Sequence, residues 1–155
     1  MIAGGSSYLL AKKTFERDQE KEKIRRNKEL LETVAQHVEV FTSQSLVYWV
    51  WVGDSIRVLN GTKKLGVDKE KLDVVKKEHF DTFQEMTSAE AKLLLLGYKS
   101  AAEKLRNYGD VVVSMRKRFS SSPRDVTEDE IYEWRAKMMS SRAIFFDELS
   151  SIYKQ

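Results

Sequence analysis

The stretch Leu46-Val-Tyr-Trp-Val-Trp-Val52 decides the fold class of this 155-residue chain. Seven consecutive apolar residues, rich in β-branched and aromatic types, are also typical of a buried strand. The helical interpretation is favoured because the apolar residues on both sides keep a spacing of three and four through the stretch. A lone strand would also lack a partner elsewhere in the sequence. The stretch therefore predicts a helix that is buried on more than one side, and an all-α fold.

This stretch lies in a first helix that we expect to run from about Ser7 to Asn60, where Gly61 suits the left-handed position after a helix end. The apolar stripe of that helix consists of Val34, Val38, Phe41, Ser45, Tyr48, Val52, Ile56 and Leu59. Residues 8–29 of the same helix are almost wholly polar and can bury little surface. We therefore expect this part to project as a charged stalk.

Two further helices are expected between residues 68 and 120. Asp68 has the position of an N-cap, and the turn Leu93-Leu-Leu-Leu-Gly97 ends the second helix. Ser100 and Glu103 have capping-box spacing and predict the start of the third. An alternative keeps 68–120 as one helix, because the apolar phase from 83 to 119 is nearly continuous.

The last helix has the strongest start signal in the chain, after a loop at residues 120–125. Thr127 is the predicted N-cap, Glu130 its capping-box partner, and Val126 and Ile131 form a hydrophobic staple. Helices of comparable length joined by short loops predict an antiparallel up-down four-helix bundle over residues 30–155. Residues 1–29 would form a separate uncharged foot and stalk. The alternative fold is three long helices in an antiparallel coiled coil.

The charge of the chain is concentrated next to an uncharged N-terminal segment. Residues 12–29 carry eight basic and five acidic side chains, a net charge of +3, which equals the net charge of the whole chain. Residues 1–11 carry no charged side chain. Apolar residues followed by basic ones are typical of a segment near a membrane. The predicted membrane-proximal residues are Tyr8, Leu9, Leu10, Lys12, Lys13 and Arg17.

Residues 1–11 are too few to form a complete membrane span, which takes about 20 apolar residues. The segment also lacks the basic start and long apolar core of a secretory signal. We interpret it as the stub of a span or as a short interfacial foot. The alternative is a mildly apolar terminus without a membrane role.

The chain resembles small, largely uncharacterised bacterial proteins with one N-terminal membrane span followed by a cytosolic helical bundle. The matching features are Ala3-Gly4-Gly5 with Tyr8-Leu9-Leu10, the mixed-charge run 12–29, the turn at 93–97 followed by 100–104, and Arg142-Ala-Ile-Phe-Phe146. This chain departs from the pattern because most of the span is missing. The resemblance implies a location and an architecture, and it implies no activity.

The sequence offers no site for metal or catalytic chemistry. The two histidines, His37 and His79, lack the Glu-x-x-His spacing of bundle metal sites. Haem held by His79 with Met86 or Met115 is the alternative to a hydrogen-bonded core histidine. Residues 61–66 lack the Lys-Ser/Thr of a phosphate loop, and no strand precedes them. We predict no enzyme activity, cofactor or metal.

A surplus of apolar side chains predicts a binding surface, because exposed apolar patches often mark partners. A larger core is the alternative explanation. The candidate interface residues are Leu46, Val50, Trp51, Tyr132, Met139 and Phe146.

The expected function is that of a non-enzymatic interaction or scaffold protein at the cytoplasmic face of a membrane, with a protein partner or a second copy of itself. The alternatives are a soluble subunit of a larger assembly, and a ligand- or haem-binding bundle. Basic residues 116–118 and 124 raise the question of nucleic acid, but the acids interleaved along 12–29 argue against it.

Overall fold

A computed structural model describes residues 3–155 and confirms the all-α prediction for that part of the chain. The stretch 46–52 is helical throughout. A short 3₁₀ turn, Pro123–Asp125, precedes the last helix. The helices are α1 (Ala3–Leu59), α2 (Lys69–Asp81), α3 (Phe83–Leu95), α4 (Lys99–Ser121) and α5 (Glu128–Tyr153).

The helices form the predicted antiparallel up-down four-helix bundle, in which α2 and α3 together make one arm. Each arm packs on the next, and the last packs on the first. Contacts between α1 and α5 give the direction: Asn60 donates to the carbonyl of Val126, while Tyr153 donates to Glu32 at the other end. On the α4–α5 seam, Arg118 pairs with Glu130 at 2.7 Å and Lys104 with Glu148 at 3.1 Å.

The core is one continuous cluster that includes a residue from every helix. Phe41 stacks edge-on against Phe83 at 5.0 Å and against Tyr108 at 5.5 Å, which joins α1, α3 and α4. The largest fully buried apolar side chains are Tyr108, Phe41, Phe145, Ile56, Leu93, Leu105, Met115, Ile131 and Met138. The predicted stripe of α1 lies in this core from Val34 to Ile56, but Leu59 is exposed.

The first part of α1 projects from the bundle, as the sequence predicted. Residues from Gly4 to Arg26 are exposed, and Leu31 is the first buried residue after Gly4. Met1 and Ile2, which begin the predicted uncharged segment, lie outside the described residues. The exposed part of α1 is roughly 36 Å long at 1.5 Å per residue. We refer to residues 3–26 as the stalk.

The second arm of the bundle consists of two helices, α2 and α3, where the sequence predicts one uninterrupted helix. Thr82 separates α2 from α3, and its side chain donates to the carbonyl of His79 at 2.6 Å. Back-bonding of this kind competes with the regular helical hydrogen bonds and bends a helix. Thr82 itself keeps helical backbone angles, so the arm still crosses the bundle as a unit.

The predicted break near Gly97 is confirmed, but the predicted capping box is wrong. Gly97 has a φ of +83°, which rules out the alternative of one helix over 68–120. However, α4 already begins at Lys99, with Tyr98 as an N-cap that makes no side-chain bond. Ser100 lies inside the helix and accepts a hydrogen bond from Lys104. The second arm and α4 are therefore separated by the left-handed Gly97 and not by a side-chain cap.

The N-caps of α2 and α5 are those that the sequence predicts. Asp68 accepts from the backbone N–H of Lys71 at 3.1 Å, and Thr127 accepts from that of Glu130 at 3.2 Å. The predicted capping-box role of Glu130 is wrong, because its carboxylate accepts from Arg118 and Trp134 and makes no bond to the backbone N–H of Thr127.

Thr127→Ala is expected to lower the free energy of unfolding by about 1 kcal/mol, because the N–H of Glu130 loses its acceptor. Thermal or urea unfolding followed by far-UV circular dichroism measures the change. Thr14→Ala is the control, since Thr14 bonds only to the carbonyl of Leu10 on the exposed stalk. Equal stability of the two variants would contradict the capping role.

Candidate functional site

The far end of the stalk exposes three consecutive apolar side chains. Tyr8, Leu9 and Leu10 are 69%, 58% and 66% exposed. Because consecutive residues on a helix point about 100° apart, these three surround the helix and do not share one face. Lys12, Lys13 and Arg17 follow within two turns, and they too are exposed. All six predicted membrane-proximal residues are therefore free of the bundle core.

The stalk helix is held by local interactions between its own side chains. Arg25 bonds to both Glu22 and Glu29, the latter at 2.5 Å. These pairs have the i,i+3 and i,i+4 spacing that stabilises an exposed helix. The hydrogen bond from Arg25 also lowers the pKa of Glu22. At its base, the Lys28 ammonium lies 5.3 Å from the centre of the Tyr153 ring, which joins α1 to the end of α5.

Within residues 3–155, no helix combines the length and the apolar character that a membrane crossing requires.

The six candidate interface residues divide into two groups. Leu46, Trp51 and Phe146 are half-buried and pack against the core, and Met139 is half-buried as well. Val50 and Tyr132 are exposed. Four of the six candidates thus belong to the core or its edge, as the alternative of a larger core predicts. The two exposed residues remain candidates for partner contact.

Tyr132 is exposed but already has neighbours within the chain. Its ring lies edge-on to Trp49 at 5.6 Å, and the Arg57 guanidinium lies 5.8 Å from its centre. Trp49 in turn donates to the carbonyl of Ile131 at 2.7 Å. These contacts hold α1 and α5 together at that level.

The outer face of α1 carries an apolar strip of which only Val50 was among the predicted interface residues. Val40, Val47 and Val50 are exposed and recur at intervals of seven and three residues, so they lie on one face of the helix. A spacing search for a second stripe on α1 would have found this set. We call these three residues the valine strip.

A buried polar cluster lies between α1, α2 and α4. His79 is fully buried, and its Nε2 lies 2.9 Å from the Ser45 hydroxyl while Arg116 donates to its Nδ1 at 2.6 Å. Burial, with the nearby Arg116 charge, lowers the pKa of His79 to about 3. The ring is therefore neutral at pH 7, with its hydrogen on Nε2 pointing to Ser45. The sequence signal for this cluster was two polar residues, Ser45 and His79, within apolar stripes.

The same geometry bears on the haem alternative. Both ring nitrogens of His79 are hydrogen-bonded, so iron ligation would need one of those bonds to break. Among residues 3–155, no group of three His, Asp or Glu side chains is arranged to hold a metal ion. Two of the basic residues 116–118, which raised the question of nucleic acid binding, make contacts within the chain. Arg118 pairs with Glu130, and Arg116 donates to His79.

A comparison with protein-family models, curated proteins and solved structures gave no match to this chain.

Proposed function

We propose that this protein is a non-enzymatic helical-bundle interaction protein that its stalk tethers at the cytoplasmic face of a membrane. The proposal is carried by the exposed apolar residues Tyr8, Leu9 and Leu10, which lie in the outer part of the stalk, where the residues from Gly4 to Arg26 are all exposed. Transfer of such apolar side chains from water into the apolar layer of a membrane is favourable by roughly 25 cal/mol per Å² of apolar surface buried.

The charges that follow these residues suit the same location. Lys12, Lys13 and Arg17 would lie at the level of the lipid headgroups when Tyr8, Leu9 and Leu10 enter the apolar layer. A basic side chain near an anionic leaflet contributes about 1 kcal/mol. The rest of the stalk, residues 18–26, is roughly 14 Å long at 1.5 Å per residue and would hold the bundle away from the surface, where it can meet partners.

A second candidate is a subunit of a larger protein assembly, and the valine strip favours it. Val40, Val47 and Val50 form an exposed apolar line on the part of α1 that belongs to the bundle. In this case the stalk would dock on protein, and the strip would pack against another helix.

The tethering proposal is tested by vesicle flotation of the full chain. We compare wild type with the triple variant Tyr8→Ser, Leu9→Ser, Leu10→Ser on vesicles of phosphatidylcholine, with and without phosphatidylserine. The wild-type chain is expected to float with the anionic vesicles. The triple variant is expected to lose more than about tenfold in partitioning, because three apolar side chains no longer enter the apolar layer.

The matched control is Leu65→Ser with Leu95→Ser, which removes two exposed leucines outside the stalk. This control should float as wild type does. Binding that is unchanged in the triple variant, or wild type that stays out of the vesicle fraction, would overturn the tethering proposal. Pull-down of a defined partner by wild type but not by a Val47→Asp variant would instead support the assembly subunit.

A further inference from the structure

A groove opens on the side of the bundle between α2, α3 and α4. Its volume is about 430 Å³, which falls in the range of small-molecule sites. Its apolar wall consists of Tyr48, Phe80, Phe83 and Val113. Phe80 is 66% exposed, so its ring borders the opening without closing it. The groove therefore offers aromatic surface that the protein itself leaves uncovered.

The polar lining of the groove is basic. Lys76, Arg116 and Lys117 line it together with Ser120, and no acidic side chain does. Within residues 3–155, none of these three cations pairs with a carboxylate. By contrast, Arg106 and Arg118 of the same helix α4 pair with Glu90 and Glu130. The positive charge at this groove is thus not paired with a carboxylate anywhere in the described part of the chain.

Arg116 is held in place by groups that carry no charge. Its guanidinium lies 4.6 Å from the centre of the Tyr48 ring and donates to His79 Nδ1. His79 is fixed in turn by Ser45, whose hydroxyl donates to the carbonyl of Phe41 at 2.8 Å. A neutral imidazole accepts the hydrogen bond without cancelling the charge. His79 thereby acts as a positioning residue that orients a fully charged guanidinium at the groove.

We propose that this groove binds a small amphipathic anion, a carboxylate, sulfonate or phosphate monoester attached to an aromatic or alkyl body. Guanidinium and ammonium groups recognise such oxyanions by charge-assisted hydrogen bonds. Phe80, Phe83 and Val113 would cover the apolar body. The groove lies about 33 Å along α1 from the bundle end of the stalk, counted from residue 26 to residue 48 at 1.5 Å per residue. The site is therefore independent of the proposed tether.

The test uses fluorescence titration with 8-anilinonaphthalene-1-sulfonate, an aromatic anion. N-phenyl-1-naphthylamine, which has the same rings without the sulfonate, is the neutral comparison. The double variant Lys76→Gln, Lys117→Gln is expected to weaken sulfonate binding about tenfold and to leave the neutral probe unaffected. Both lysines are exposed, so the variant is expected to fold as wild type does, and urea unfolding checks this.

The matched control, Lys69→Gln with Lys99→Gln, removes one charge from each of the same two helices at exposed positions outside the groove. It should bind the sulfonate as wild type does. Backbone amide NMR shifts on titration are expected to concentrate at residues 113–120. Equal weakening in both double variants, shifts located elsewhere, or no sulfonate binding by wild type would overturn the proposal.

Discussion

Phe41→Ala is expected to lower the free energy of unfolding by about 4 kcal/mol. Phe41 is fully buried, and its ring touches Phe83 and Tyr108, so the truncation leaves a cavity where three helices meet. The surrounding backbone is helical on all sides and can collapse only partly into the space. For a domain of this size the melting temperature should fall by about 10 °C.

The control for this prediction is Phe15→Ala on the same helix. Phe15 is 62% exposed on the stalk, so the same chemical change there should alter stability by less than about 0.5 kcal/mol. Urea unfolding followed by circular dichroism gives both values. Similar losses for the two variants would contradict the division of α1 into a buried part and an exposed stalk.

Acidification is expected to destabilise the protein through His79. The pKa of His79 is about 3 in the fold and about 6.5 in the unfolded chain, so the unfolded state binds the additional proton. The stability from this group is fully present above pH 6.5 and is lost as the pH falls toward 3. Between pH 7 and pH 4.5 the loss should be about 2 kcal/mol. That is a large part of the 5–15 kcal/mol typical of a folded domain.

His79→Gln should flatten this pH dependence while it lowers stability at pH 7. Asp54 and Glu130 also have lowered pKa values, because Lys63 and Arg118 donate hydrogen bonds to them. The stability that these two carboxylates give to the protein is lost at still lower pH. Their contribution is common to both proteins, so the difference in slope isolates His79. Equal slopes from pH 7 to 4.5, or an NMR titration of the His79 ring with a midpoint near 6.5 in the folded protein, would contradict the neutral buried ring.

The elements with strong local signals were predicted correctly. The helical state of 46–52 follows from the unbroken 3/4 spacing around it, and Thr127 and Asp68 cap the helices that they were expected to cap. Gly61 and Gly97 have positive φ, as expected at helix ends. Each of these features depends on residues within about one turn, so a single sequence carries the necessary information.

The errors arose where neighbours in the bundle decide the outcome. The spacing of Ser100 and Glu103 predicts a capping box, yet α4 begins at Lys99, directly after the turn that the left-handed Gly97 makes. The break at Thr82 coincides with one side-chain bond to the carbonyl of His79, which competes with the regular helical hydrogen bonds. The partial burial of Leu46, Trp51 and Phe146 depends on how closely the neighbouring helices pack around them. No periodicity or motif in the sequence signals any of these three features.

For the candidate sites the division is similar. Composition and order along the chain alone predict an exposed, charged stalk, because residues 8–29 have too few apolar side chains to bury against anything. The basic groove and its support need the assembled bundle. Ser45, His79 and Arg116 come from three helices, separated by up to 71 positions in sequence, and only antiparallel packing brings them within hydrogen-bond distance. Local physics therefore sets what each segment is, and contact between segments sets which side chains meet.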